Sequence, residues 1–212
     1  MSARFAAVLL PALLLAADGP LPNPAVDEPR AASKGTRTAV FAGGCFWCTE
    51  AVFEQVAGVR KVVSGYAGGD AASANYKLVS EGKTTHAEAI EITYDPSAVT
   101  YGQLLSIFFG AAHDPTQLDR QCPDWGKQYR SAVFPANEEH KRIAAAYIDQ
   151  LTKAHAFGKP IVTLIAPGTK FHGAEDYHQD FVRKNPDHPY VVRNALPKVA
   201  KLKSLYPAMV KK

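Results

Sequence analysis

Three cysteines and one carboxylate carry the chemistry that this sequence advertises. Cys45 and Cys48 stand in Gly43-Gly44-Cys45-Phe46-Trp47-Cys48-Thr49-Glu50, and Cys122 stands alone in a polar stretch. A cysteine becomes a nucleophile as its thiolate, which a helix N-terminus stabilises through free N–H groups and the positive end of the helix dipole. The residues before the motif, Thr38 to Ala42, read as a strand. Those after it place Val52, Phe53 and Val56 at helical spacing, with Gly58 as the stop. The spacing therefore predicts strand, glycine turn and helix, with Cys45 at the helix start and its pKa depressed. Glu88 lies in His86 to Tyr94, where alternation puts His86, Glu88, Ile90, Ile92 and Tyr94 on one, more apolar face. A carboxyl pointing into a dry pocket has its pKa raised and can donate a proton near neutral pH. The structural alternative is a Glu88 paired with His86, a lysine or an arginine.

The elements that must position these groups follow in order. Val59 to Ser64 reads as a strand and Gly65 to Asp70 as a glycine-rich loop, which no Gly-Lys-Ser/Thr follows, so nucleotide binding is discounted. Thr100 and Gln103 form a capping box for a helix through Phe109. Gln117 to Gly126 reads as a long polar loop, and Gln128 to Phe134 as a strand with Tyr129, Ser131 and Val133 on one face. Asn137 caps a helix from Glu138 to Ala154 with Ile143, Tyr147 and Leu151 inward. Ile161 to Ile165 reads as a buried strand, and Ala174 to Phe181 as a short helix ending before Asn185-Pro186. His113 and Asp114 read as turn and capping groups, His140 and His155 as surface residues, and His172 and His178 as structural or exposed. Mixed strands and helices around one core make this an α+β, single-domain protein.

Residues 1–19 hold Arg4, an apolar run and small residues, the pattern of a secretory signal peptide; export, to the periplasm if bacterial, is expected. Residues 20–35 are rich in Pro, Ala and charge and read as a disordered linker; 36–190 read as the catalytic domain and 191–212 as a basic C-terminal tail. The net charge is only +4, with no basic stripe interleaved with aromatics, so no nucleic-acid partner is expected. Beyond the signal peptide no membrane segment is expected, and a monomer is. Three cysteines is an odd number for a structural framework in an exported chain and suits redox work better.

Cys45, Phe46, Trp47, Glu88 and two tyrosines combine into one hypothesis. A thiolate attacks, an aromatic pair holds a methyl group, and an acid with phenol hydroxyls polarises an adjacent oxygen. A sulfoxide has that shape. Two other readings compete. A general exported thiol–disulfide oxidoreductase would use Cys45-x-x-Cys48, but it has no need of Glu88. A zinc domain would use Cys45, Cys48, Cys122 and His86 or His113, but it lacks a second ligand pair; no metal is expected.

At this point the chain resembles the A-type peptide methionine sulfoxide reductases. The resemblance rests on Gly44-Cys45-Phe46-Trp47 with Glu50, Ser64-Gly65-Tyr66-Ala67-Gly68-Gly69, Tyr76, and Gly82-x-Thr84-x-His86-Ala87-Glu88. It continues through His113-Asp114-Pro115-Thr116, Asp124-x-Gly126-x-Gln128-Tyr129-Arg130-Ser131 and Ala174-Glu175-Asp176-Tyr177-His178-Gln179. It implies a ferredoxin-like mixed or antiparallel sheet core with helices and long loops. It implies reduction of methionine-S-sulfoxide, free or in oxidised proteins, as repair after oxidative stress. Cys45 would attack sulfur, Phe46 and Trp47 cradle the methyl group, Glu88 protonate the oxygen, Tyr76 and Tyr129 hydrogen-bond it, and Asp124 orient substrate or water. Cys45 would become a sulfenic acid, resolved as a disulfide that an external thiol, a thioredoxin-like protein or dithiothreitol, reopens without a bound cofactor. Many members place glycine at the Cys48 position and resolve through C-terminal cysteines, which this chain lacks. The resolving thiols are then Cys122 and Cys48. The order preferred is Cys122 as direct resolver with Cys48 as relay; the reverse order and direct attack by an external thiol stay open.

Overall fold

The computed structural model describes residues 19–168 and 170–212; most of the expected signal peptide therefore lies outside the described residues. The sheet follows from the apolar strands. β1 (Arg37–Gly43) lies at the centre, antiparallel to β3 (Ala87–Tyr94) on one side and to β6 (Ser131–Phe134) on the other. β2 (Val59–Ala67) pairs antiparallel with the far side of β3. The order β6-β1-β3-β2, with α1 (Phe46–Glu54) joining β1 to β2 and α3 (Tyr101–Ile107) following β3, is the β-α-β-β-α-β ferredoxin-like arrangement. α2 (Tyr76–Ser80) sits in the β2–β3 connection. A separate two-stranded hairpin, β4 (Arg120–Gln121) and β5 (Asp124–Trp125), carries Cys122 at its turn. α4 (Glu138–Lys153) buries Ile143, Tyr147 and Leu151, with the Asn137 side chain accepting from His140 N–H. Thr100 and Gln103 form the reciprocal capping box of α3, which runs on into a π-helical turn at Phe108–Ala112.

Several expectations are corrected. β7 (Leu164–Ile165) is a two-residue parallel edge strand with Leu164 half exposed, because Pro160 and Pro167 bracket it. β6 starts at Ser131, since Gly126 at φ +124° leads into a 3-10 turn at Lys127–Tyr129. β2 continues through Gly65, Tyr66 and Ala67, where a loop is expected from the glycines. Gly65 is small because His172 and Phe171 of the neighbouring strand, β8 (His172–Gly173), press on it. The expected helix from Ala174 is split into a 3-10 turn, Asp176–His178, and α5 (Phe181–Lys184), by Asp180 at φ +55°. His140 is buried and stacks on Tyr101, with ring centroids 3.8 Å apart.

The linker and the tail are both part of the packed unit. Residues 20–35 form an extended strap: Leu21 is buried, Pro22 O accepts from Tyr147 OH at 2.9 Å, and Asp27 accepts from Gly102 N–H at 2.8 Å at the start of α3. Glu28 is buried and accepts from Tyr101 N–H (3.0 Å) and Tyr94 OH (3.2 Å), with Arg37 as its salt-bridge partner. Proline-rich composition excludes a helix here but not a strap whose polar groups find partners. The tail forms a π-helical turn, Val191–Ala195, and then α6 (Leu196–Leu205). Lys201 and Lys203 sit outside and Lys198 is half-buried, while Val191, Ala195, Leu202 and Tyr206 make a buried stripe at helical spacing. Among the described residues no helix is long and apolar enough to cross a membrane.

Glu28→Ala leaves the Tyr101 N–H and Tyr94 hydroxyl without a buried acceptor. Urea unfolding should show a loss of about 2–4 kcal/mol with an unchanged slope. A loss below about 0.5 kcal/mol would mean that the strap does not stabilise the domain.

Candidate active site

β1 ends at Gly43, and Gly44 turns at φ +86° with the Gln121 side chain lying where a Cβ would be. Only glycine fits there, and the close approach brings the Cys122 hairpin beside the start of α1. Cys45 is the N-cap residue of α1, with no side-chain cap of its own. The cap comes from β3: Phe46 N–H donates to Glu88 Oε2 at 3.1 Å. Glu88 lies almost wholly buried, and burial, reinforced by Asp124 and Cys48, lifts its pKa to about 8 against the pull of the Phe46 hydrogen bond. At neutral pH it is a carboxylic acid. One oxygen accepts from Phe46, and the other is left to carry the proton.

Cys45 is not acidified by its helix end. Burial pushes its thiol up, and the Cys48 and Glu88 beside it push the same way. The expectation of a depressed pKa fails for two physical reasons. The thiol is only 8% exposed, and Cys48 and Glu88 crowd it with groups that oppose a second negative charge. Its hydrogen-bonded neighbour Cys48 is the thiol that is lowered, first by Cys45, then by Lys198 and the Tyr190 hydroxyl.

Phe46 and Trp47 build one wall. Trp47 stacks on Phe181 at 3.7 Å between centroids and 6° between planes, and its Nε1–H donates to His178 Nδ1 at 3.1 Å. His178 packs between Phe46 (4.9 Å) and Tyr76 (4.4 Å), so it is the structural part of this wall. Glu175 fixes the tyrosines from behind, accepting from Tyr66 OH at 2.7 Å and from Tyr76 N–H at 2.9 Å. The hydroxyls of Tyr76 and Tyr129 are held protonated by burial and by the field of Glu88. Asp124, at the start of β5, is raised by burial and bonded to the Tyr190 hydroxyl. The structure thus brings Cys45, Cys48, Phe46, Trp47, Tyr76, Glu88, Asp124 and Tyr129 together. Cys122 is exposed at the hairpin turn, with its N–H donating to Gln117 Oε1 at 3.0 Å.

Tyr190 is the residue that the sequence reading missed. Its hydroxyl touches Asp124 and both thiols, and its ring meets Trp47 edge-on at 5.9 Å. It lies beyond the last motif, where only the helical stripe beginning at Val191 could have signalled a buried element. The zinc set is not assembled: His113 bonds Phe108 O and Ser131 Oγ, and His86 bonds Asp70 O.

A family model described as peptide methionine sulfoxide reductase matches residues 37–208. The chain belongs to this family. It is an oxidoreductase acting on methionine sulfoxide. A peptide methionine sulfoxide reductase MsrA 2 of Mesorhizobium japonicum is 57% identical over 178 residues, covering 84% of this chain and 91% of that protein. One from Synechocystis sp. is 54% identical over 188 residues, 88% of each chain. Among solved structures, reduced Mxr1 from Saccharomyces cerevisiae matches with a TM-score of 0.63 and 31% identity, over 76% of this chain and 91% of that one. Methionine sulfoxide reductase A of Corynebacterium diphtheriae matches with 0.61 and 34%, over 79% and 86%.

The acid form of Glu88 is the one able to donate, so kcat/KM should fall as pH rises through about 8. Glu88→Gln should lower kcat by about 100-fold and remove that limb. A limb near pH 8 that survives in Glu88→Gln would assign it to another group.

Proposed function

We propose that this chain reduces the S epimer of methionine sulfoxide, free or in oxidised proteins, through a Cys45 sulfenic acid. The observation that carries the reading is a buried carboxyl and a thiol anchored on consecutive residues of one helix start: Glu88 is bonded to Phe46 N–H, and Cys45 is the residue before it. Phe46 and Trp47 receive the methyl group, and Tyr76 and Tyr129 hydrogen-bond the oxygen. Asp124, held by Tyr190, orients the site. On substrate binding the Cys48 thiolate takes the Cys45 proton. The Cys45 thiolate forms a bond to the sulfoxide sulfur and Glu88 gives its proton to the oxygen; the hydroxyl then moves onto the Cys45 sulfur as its bond to the methionine sulfur and the bond between the two sulfurs break. Methionine leaves, and the oxygen stays on Cys45 as a sulfenic acid.

Cys48 then attacks that sulfenic acid, expelling water and forming a Cys45–Cys48 disulfide. This order reverses the one preferred from the sequence. What supports it is contact: Cys48 is hydrogen-bonded to Cys45 and lowered by Lys198, whereas Cys122 is exposed and bonded to Gln117. Cys122 exchanges into the disulfide next, freeing Cys45, and an external dithiol reduces the Cys48–Cys122 pair. No bound cofactor takes part, and the chain acts as a monomer on this reading. The apolar N-terminal run supports export to a periplasm, which N-terminal sequencing of the secreted product would test.

The thiol–disulfide exchange reading leaves the buried acid without a role. The test is a stereo-resolved assay with dithiothreitol, followed by single turnover without reductant. S-methionine sulfoxide alone should be consumed. Cys48→Ser and Cys122→Ser should each release about one methionine per enzyme, and Cys45→Ser none. Retained activity in Cys45→Ser would end the mechanism. Turnover of Cys48→Ser by a protein dithiol at the parent rate would return Cys122 to the role of first resolver.

A further inference from the structure

β2 is nine residues long, but its outer edge is covered only at its two ends. At the catalytic end, Gly65 and Tyr66 pair with β8. Beside them, Ser64 N–H donates to Gln179 Oε1, and Ser64 O accepts from Ala174 N–H and Gln179 Nε2, each at 2.9 Å. At the other end the C-terminus adds a bridge between Val56 and Val210, flanked by Ala57 N–H to Met209 O (2.7 Å) and Lys211 N–H to Gln55 O (2.8 Å). Between these covers lie Arg60–Val63. In an antiparallel ladder, alternate residues turn both backbone groups to the same edge. Ser64 points outward, so Val62, two residues earlier in unbroken register with Ile92, points outward too. Among the described residues neither Val62 N–H nor Val62 O has a partner on that side. A groove of about 510 Å³ runs along this edge, closed by Glu54, Asp176, Gln179, Arg183 and Lys211.

We propose that the groove is an exosite for the main chain of a protein substrate. An extended segment flanking an oxidised methionine lies along Arg60–Val63 as an added strand and completes the edge between β8 and the C-terminal bridge. The proposal rests on the methionine sulfoxide reading of the active site. The free stretch spans about 13 Å, which suits four extended residues. A single turn of chain, Ala174 to Gln179, separates the groove from the active site. Asp176 and Gln179 line the groove, while Glu175 and His178 of the same turn hold Tyr66, Tyr76 and Trp47 on the other side. A second copy is a poor occupant. Isologous pairing would need a longer matched free edge on both copies, and this one is four residues long with a register shift at Arg60.

The Val62 N–H faces away from β3, so Val62→Pro removes the outward donor and leaves the ladder intact. Steady-state kinetics of the whole chain would compare free S-methionine sulfoxide with a dodecapeptide holding one such residue. KM for the peptide should rise about tenfold in Val62→Pro, with free-substrate kinetics unchanged. An equal change on both substrates, or none on the peptide, overturns the exosite. Should the variant not fold, amide hydrogen exchange on the unmodified chain gives the same decision, using a methionine sulfone peptide as probe. Slowed exchange at Val62 supports the proposal. Unchanged exchange overturns it, as does protection that grows with protein concentration without peptide. If free S-methionine sulfoxide is not reduced by the unmodified chain, the reading of the active site fails, and the exchange result still judges the groove.

Discussion

One hydrogen bond sets the geometry of the catalytic half: Phe46 N–H to Glu88 Oε2. It joins the first turn of α1 to β3, one of the two central strands, where β1 and β2 flank Glu88 on either side. Because the bond is made by the residue after Cys45, the acid and the thiol are placed together by one constraint. Because Glu88 comes from a strand buried on both sides, its position is set by the sheet register that pairs it with Tyr66. A carboxyl on a loop would have neither property.

The same arrangement governs the protons. Glu88, Asp124, Cys45, Tyr76, Tyr129 and Tyr190 are each pushed toward the protonated form, in every case chiefly by burial. Cys48 moves the other way, lowered first by its bond to Cys45 and then by Lys198. A low-dielectric pocket cannot hold several negative charges, so the groups settle as a set of neutral donors around one site that can take charge. A second buried carboxyl, Glu50, lies on the same helix with Oε1 unpartnered and its pKa lifted by burial to about 7. As its folded pKa exceeds the unfolded value, folding favours the acid, and this contribution is lost as pH rises from about 4.5 towards 7. α1 therefore carries a stability cost near neutrality beneath the residues that do the chemistry.

What the sequence made legible was local. Periodicity located β1, α1, β3 and α4, the Thr100–Gln103 pair located the start of α3, and the ordered motifs pointed to the residues that the fold gathers around Cys45 and Glu88, though not to Tyr190 or Lys198. What it hid depended on distant partners. The strap at 20–35 is ordered by acceptors for Tyr101 N–H and Gly102 N–H, and no compositional reading of prolines sees an acceptor deficit on α3. In the tail the lysines masked an apolar stripe from Val191 to Tyr206. The raised pKa of Cys45 is hidden from the sequence because it comes first from burial and then from Cys48 and Glu88, which the fold alone sets beside the helix start.

The C-terminal segment ties the cysteine pair to the rest of the site. It packs across α1 and delivers Tyr190 and Lys198, not thiols, to the Cys45–Cys48 pair. Tyr190 also reaches Asp124, on the strand that follows the Cys122 turn. One phenol thus connects both buried thiols with the hairpin bearing the exposed one. On the proposed chemistry, forming a Cys45–Cys48 disulfide removes the thiol that Tyr190 bonds and the charge that Lys198 faces. The hairpin is then held by one contact fewer at the moment when Cys122 must move inward. The order of the relay would in that way follow from which hydrogen bonds each redox state leaves intact.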